Sequence, residues 1–167
     1  AVFGSSVYVA DEQVGLQIIQ AEDPETAFLY DTIAMPPFYD VRGVTVIDGY
    51  AYMAGSNGSF YVLNVKNPFS NPQIVNTLST SDNANKIAVS GEYLYLTDDD
   101  GGLRVYRVTD PDAPVLLKTI TDPGGYADLE VKGDYLFASV GTGIVVIDIE
   151  NPASAALIGE IGRASCR

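Results

Sequence analysis

One pattern recurs four times along the chain at a nearly fixed period, and this repeat limits the fold more than any other feature. Ser6-Val7-Tyr8-Val9-Ala10 aligns with Tyr50-Ala51-Tyr52-Met53-Ala54, Tyr93-Leu94-Tyr95-Leu96-Thr97 and Tyr135-Leu136-Phe137-Ala138-Ser139. The steps from Tyr8 to Tyr52, from Tyr52 to Tyr95 and from Tyr95 to Phe137 are 44, 43 and 42 residues. A second match lies downstream in Leu16-Gln17-Ile18-Ile19, Phe60-Tyr61-Val62-Leu63, Leu103-Arg104-Val105-Tyr106 and Ile144-Val145-Val146-Ile147. Each copy then passes a turn signal (Asp23-Pro24, Asn67-Pro68, Asp110-Pro111 or Asn151-Pro152) and closes on a short apolar run. A unit of this length cannot bury its apolar surface alone, so neighbouring copies must stack.

Each repeat reads as four short strands. Tight turns at Asp48-Gly49, Gly91-Glu92 and Gly133-Asp134 supply the positive φ that two-residue hairpins need. The Asn/Asp-Pro pairs interrupt the ladder. No segment has helical periodicity with caps. A sheet with one wet face alternates apolar and polar residues, yet Tyr93-Leu94-Tyr95-Leu96 hardly alternates. Both faces of such strands must be covered. The fold class is therefore all-β: a β-propeller of about four blades, each of four antiparallel strands. The copies run approximately over 1–39, 40–82, 83–124 and 125–160. The first begins near its second strand, Ala1-Val2 matching the end of a first strand, so the first blade is expected to lack that strand and the whole to be part of a larger propeller. Six of the 11 tyrosines (Tyr8, Tyr50, Tyr52, Tyr93, Tyr95 and Tyr135) fall at repeat positions, where they are expected to pack between blades.

The run Val89-Ser90-Gly91-Glu92-Tyr93-Leu94-Tyr95-Leu96, followed by Gly102-Leu103-Arg104-Val105-Tyr106 and Asp110-Pro111-Asp112-Ala113-Pro114, resembles the LVIVD repeat family. The namesake run is best kept in Gly143-Ile144-Val145-Val146-Ile147-Asp148. The resemblance covers almost the whole chain. It implies a bacterial or archaeal propeller that is exported or held at the cell surface, and it carries no catalytic motif to transfer. The chain departs from the family at the acidic position after the third strand, which is Gln20, Asn64 and Arg107 in three copies and acidic only at Asp148.

Composition narrows the partners. Nine Lys and Arg against 22 Asp and Glu give a net charge of −13 over 167 residues. That charge repels a phosphate backbone, so nucleic acid is not an expected partner. With no His, a Ser–His triad or His-ligated metal is excluded from these residues, and one Cys makes no internal disulfide. No apolar run is long enough to insert in a membrane. Residues 161–167, Ile161 to Arg167, leave the repeat and match the translation of a short-read sequencing adapter. They are expected to be a non-native tail of metagenomic origin, leaving 1–160 as the partial propeller.

Two sets of residues carry candidate chemistry. Asp98, Asp99 and Asp100 form an acidic hairpin that attracts a hard cation such as calcium, although it lacks the spacing of an EF-hand loop. No other cofactor is expected. The approaches to the innermost strands offer Asp40, Arg42, Asn83, Asn85, Lys86, Tyr126 and Asp128. In a propeller these would ring the central channel, and their variation between copies fits a binding surface grafted on a common scaffold. The favoured reading is a non-enzymatic extracellular or cell-surface scaffold for a protein or carbohydrate ligand, its ring completed by the remaining blades of the same chain. The alternatives are an enzyme whose channel-centred site is completed by further blades, and a calcium-assisted adhesion module.

Overall fold

The computed structural model describes residues 1–34, 40–99, 101–121 and 125–162. The described residues form four sheets, each of four strands in sequence order and antiparallel throughout. Blade 1 holds β1 (Val2–Phe3), β2 (Ser6–Asp11), β3 (Gly15–Gln20) and β4 (Phe28–Ile33). Blade 2 holds β5 (Val41–Ile47), β6 (Tyr50–Gly55), β7 (Ser59–Asn64) and β8 (Gln73–Ser79). Blade 3 holds β9 (Ala84–Ser90), β10 (Tyr93–Asp98), β11 (Gly102–Arg107) and β12 (Val115–Ile120). Blade 4 holds β13 (Asp128–Lys132), β14 (Tyr135–Val140), β15 (Gly143–Asp148) and β16 (Ala156–Gly162). This is the all-β propeller architecture expected from the repeat.

Two ends differ from the sequence reading. The first blade is not three-stranded: β1 is short, but Val2 pairs with Val7 and Phe3 with Ser6. Ile161 and Gly162 continue β16, pairing with Ile144 and Gly143. Ile161 stands opposite the third strand as Ile33, Leu78 and Ile120 do in the other blades. The rest of the expected tail, 163–167, lies outside the described residues. Among the described residues no helix is long and apolar enough to cross a membrane.

The first strand of each blade lies innermost: β5 packs beside β9, β9 beside β13, and β1 beside β5. The outermost strands all carry a bulge at the same repeat position, between Ile18/Ile19, Val62/Leu63, Val105/Tyr106 and Val146/Ile147 of the partner strands. A bulge twists the free edge and disfavours edge-to-edge pairing, which matters because these edges expose Phe28, Leu29, Ile74, Val115, Leu116 and Ile158.

The core sits between blades rather than within them. Period-2 alternation sends Tyr8, Leu16 and Ile18 of blade 1 against Ala51, Met53 and Leu63 of blade 2. The opposite face of blade 2 (Tyr52, Phe60, Val62) meets Leu94, Leu96 and Tyr106 of blade 3. Tyr95, Leu103 and Val105 of blade 3 meet Leu136, Val145 and Ile147 of blade 4. Within the second joint the Phe60 and Tyr106 rings pack edge to face, 4.9 Å between centroids, a geometry their quadrupoles favour. The repeat tyrosines thus pack as expected at Tyr8, Tyr52 and Tyr95, which are fully buried; Tyr50 and Tyr93 are half-buried and Tyr135 is exposed.

Burial pushes the Tyr52 and Tyr95 hydroxyls up to about 12, with the neighbouring Tyr50, Asp48 and Asp110 adding to the effect on Tyr52 and Tyr93 on Tyr95. The neutral phenol is the form the fold retains. Stability from these groups is therefore complete below pH 10, the unfolded value, and is lost as pH rises through about 12. Tyrosinate absorbance during an alkaline titration should rise late for these two rings, together with loss of the β-sheet circular dichroism. Tyr52→Ala should lower stability by about 3–5 kcal/mol in urea denaturation. Tyr52→Phe keeps the ring, and its hydroxyl has no partner among the described residues, so it should change stability by less than about 1 kcal/mol.

Candidate functional site

The channel face is built from irregularities in the innermost strands. Opposite β6, Val41 pairs with Gly55 and Gly43 with Ala54, which leaves Arg42 as the extra residue of a bulge. Opposite β10, Ile87 pairs with Leu96 and Ala84 with Asp98, so Asn85 and Lys86 share the space facing Thr97. The Thr97 hydroxyl accepts the Lys86 amide at 2.9 Å and secures that bulge. Bulges re-aim side chains, and here both occur on neighbouring strands at the same end. Gly43 lets those strands close up, since a Cβ there would lie 2.7 Å from the Asn85 carbonyl oxygen.

The result is a side-chain network that crosses from blade 2 to blade 3. Arg42 Nη1 donates to Asn85 Oδ1 at 2.7 Å. Asn85 Nδ2 donates to Asp99 Oδ1. Asn83 Nδ2 donates to Asp99 Oδ2 at 3.3 Å, and Arg42 Nη1 lies 3.9 Å from that same oxygen. A cavity of about 410 Å³ opens beside this network, lined by Glu12, Arg42, Asn85, Lys86, Asp99, Gly125, Tyr126 and Ala127. Residues from all four blades contribute. Of the candidate channel residues, Arg42, Asn85, Lys86 and Tyr126 line the cavity and Asn83 braces Asp99 from behind. Asp40 and Asp128 do not join them. The Asp40 amide instead donates to Ser56 Oγ at 2.9 Å, and Asp128 Oδ1 accepts the Leu129 amide at 3.0 Å. Tyr126 is almost wholly buried, serving as wall rather than as an exposed platform.

Asp99 and Glu12 also line this cavity, although the sequence marks Asp99 only as part of a cation-attracting acidic run and does not mark Glu12. Asp99 sits in a run of three acids that reads as a cation loop, and only the return of β10 beside β9 reveals its amide partners. Asp98 has a different task. It is fully buried, and its carboxylate accepts the amides of Ser81 (2.8 Å), Asp82 (3.0 Å) and Gly101 (3.1 Å) together with Arg104 Nε (2.9 Å). Arg104 also donates through Nη2 to Ser81 Oγ. Ser81 and Asp82 lie in the crossover from blade 2 to blade 3, so Asp98 and Arg104 latch the two blades. A Cβ at Gly101 would fall 2.5 Å from Asp98 Oδ2, so glycine is needed for the loop to close on the carboxylate. The oxygens of Asp98 and Asp99 thus serve different partners, and Asp100 lies outside the described residues. Among the described residues no cluster of three or more acidic, His or Cys side chains is placed to hold a metal.

A larger groove of about 600 Å³ lies at the opposite end of the second joint, among Asp48, Tyr50, Tyr52, Lys66, Glu92 and Pro111. Lys66 Nζ rests 4.7 Å from the centroid of the Tyr50 ring and fills part of it. At the next joint Pro152 and Ala155 are buried, whereas Pro111 is only half-buried. The groove is therefore an incompletely filled seam between blades.

Of the three departures from the acidic position after the third strand, the one at Asn64 is resolved by the structure. Asp148 Oδ1 accepts the Glu150 amide at 2.9 Å, and Asn64 Oδ1 accepts the Lys66 amide at 3.1 Å in the same geometry. An amide oxygen substitutes for a carboxylate oxygen in this turn.

The sequence model of the LVIVD repeat matches the chain three times, at residues 40–80, 82–122 and 123–161. No curated protein matches in sequence. Among solved structures, a protein from Lactobacillus plantarum superposes with a TM-score of 0.80 at 16% identity, over 95% of this chain and 54% of its own. The β-propeller domain of Myceliophteria thermophila Cps50 (Swd1) superposes with 0.74 at 11% identity, over 95% of this chain and 56% of its own. The computationally designed Ika8 protein gives 0.75 at 10% identity, over 99% of this chain and 49% of its own. The chain spans about half the length of each.

Removing the Asp98 carboxylate strands three amides and a nearly buried guanidinium. Asp98→Ala should therefore lower stability by about 3–5 kcal/mol, read as an earlier urea midpoint with an unchanged slope. Asp99→Ala, on the exposed rim, should shift it by less than about 1 kcal/mol.

Proposed function

The chain belongs to the LVIVD repeat family, and on that footing we propose that it is a non-enzymatic propeller scaffold, exported or displayed at the cell surface, that holds a ligand over its channel face. The observation that carries this reading is the Arg42–Asn85–Asp99–Asn83 network beside the 410 Å³ cavity. The cavity wall pairs two cations, Arg42 and Lys86, with two carboxylates, Glu12 and Asp99. Its formal charge is balanced in a chain that is otherwise strongly acidic. Neighbouring donors and acceptors without net charge suit a neutral, hydroxyl-rich ligand such as a saccharide unit, whose vicinal hydroxyls both donate and accept. Placing these side chains on strand bulges rather than on long loops preorganises them and reduces the ordering that binding requires. The overall acidity disfavours anionic ligands, so a neutral one suits this patch better.

Calorimetric titration with a panel of neutral mono- and disaccharides tests the reading. At least one member should bind, and Asn85→Ala or Arg42→Ala should weaken it about 10-fold or more, the worth of one or two charge-assisted hydrogen bonds. Lys66→Ala, at the far groove, should leave affinity unchanged. Absence of binding across the panel, or binding that survives Asn85→Ala, contradicts the proposal. Affinity that appears only with added calcium favours the adhesion reading instead.

A further inference from the structure

The groove at the far end of the second joint contains a buried polar atom that the described residues do not satisfy. Tyr52 lines the groove and is fully buried, and its hydroxyl has no hydrogen-bond partner among the described residues. Burying a hydroxyl without a partner costs its hydration, so an atom of this kind marks a place where a further group can bond. The cavity beside it measures about 600 Å³. Its floor is apolar: Ile47, Tyr50 and Tyr52 of blade 2 with Val108 and Pro111 of blade 3, all buried or half-buried. Its rim is acidic and exposed, with Asp48 on the turn of one blade and Glu92 on the turn of the next. The ion pairs among the described residues are Arg42–Asp99 and Arg104–Asp98, so neither rim carboxylate is paired.

The chain already holds one group of the kind such a surface attracts. The Lys66 stem lies against the Asp48-Gly49 turn, where a Cβ on Gly49 would fall 2.5 Å from Lys66 Cγ. Its ammonium rests over the Tyr50 ring, 4.7 Å from the centroid. An alkyl stem on an apolar wall with its cation over an aromatic face is a favourable arrangement. Lys66 nevertheless leaves the Tyr52 hydroxyl unpartnered. Burial, and then Tyr50, Asp48 and Asp110, hold that hydroxyl protonated. The same carboxylates that oppose a negative charge on this oxygen attract a positive one beside it.

We propose that this groove is a second binding site, one that takes an alkylammonium group: a free amine or the lysine side chain of another protein. The methylenes of the ligand lie on the Tyr50, Val108 and Pro111 floor. Its ammonium donates to Tyr52 Oη and to the Asp48 and Glu92 carboxylates, and an ammonium carries three donors for these three acceptors. Asp48 and Glu92 against Lys66 give the groove a formal charge of −1, which a single monocation brings to zero. An anion would meet the acidic rim, and a neutral stem would leave both carboxylates without a counter-charge. The site lies at the opposite end of the joint from the Arg42–Asn85–Asp99 network, and it stands whether or not that network holds a saccharide.

Proton–nitrogen NMR titration of the labelled chain tests this with three probes: butylammonium, a blocked Gly-Lys-Gly tripeptide and, as the uncharged control, 1-butanol. The amides of Gly49, Glu92 and Thr109 should shift and saturate with at least one of the two amines, and butanol should bind about 10-fold more weakly or less. Tyr52→Phe keeps the ring and should weaken amine binding about 5-fold or more, the worth of one hydrogen bond. Asp48→Asn combined with Glu92→Gln should weaken it about 10-fold or more. Lys66→Met keeps the stem, removes the competing cation and should tighten it. Saturation by butylammonium alone identifies a free amine as the source, and saturation by the tripeptide a protein's lysine; either upholds the site. Saturation by neither amine overturns the proposal, as does butanol binding as well as butylammonium. So does amine affinity that Tyr52→Phe leaves unchanged, because attraction to an acidic surface in general does not need that hydroxyl.

Discussion

Every sheet in this protein is apolar on both faces, and none of the four can satisfy that condition alone. A β-sheet with one wet face can fold with a single layer to cover it; a sheet with two dry faces needs two neighbours. The internal strands meet this by sending alternate residues to opposite joints, so that Tyr52 and Met53, adjacent in sequence, belong to different cores. The order of the blades, the position of the innermost strands and the channel all follow from that division.

The polar network on the channel face follows from where the rule is relaxed. Away from the joints, the innermost strands are free to bulge at their starts, and Arg42, Asn85 and Lys86 occupy those bulges. The same end carries the Asp98–Arg104 latch, which fixes the crossover between blades 2 and 3 and so fixes the distance between the strands that present the network. A rigid joint beneath a polar rim is what separates this cavity from the seam at the far end, where the walls are turn residues and a lysine lies over a tyrosine ring.

Much of the fold was legible because its signals are local. The 42–44-residue period, the Asp-Gly and Gly-Xaa turns, and the lack of alternation in Tyr93-Leu94-Tyr95-Leu96 each carry a direct steric or solvation meaning. Asp48 and Gly49 do adopt positive φ, 48° and 76°, as the hairpin requires. The site was legible only by position. Arg42, Asn85, Lys86 and Tyr126 could be named because strand starts ring a channel, but a bulge is a shift of register between two strands and leaves no mark in either one. The acidic run was harder still. Asp98 and Asp99 are neighbours in sequence yet serve a buried latch and an exposed network. What separates them is a set of amides from Ser81 and Asp82, 16 or 17 residues upstream. The two-residue β1 was also missed as a paired strand, since so short a segment has no periodicity to read.

The blades share cores and therefore stand or fall together. Hydrogen exchange measured peptide by peptide in Phe60→Ala tests it most directly, because Phe60 is fully buried in the joint between blades 2 and 3 and contacts the Tyr106 ring across it. The account predicts faster exchange in β6 and β7 and, to a similar degree, in β10 and β11 of the neighbouring blade. Loss of protection confined to blade 2, with β10 and β11 exchanging as in the parent, would contradict it.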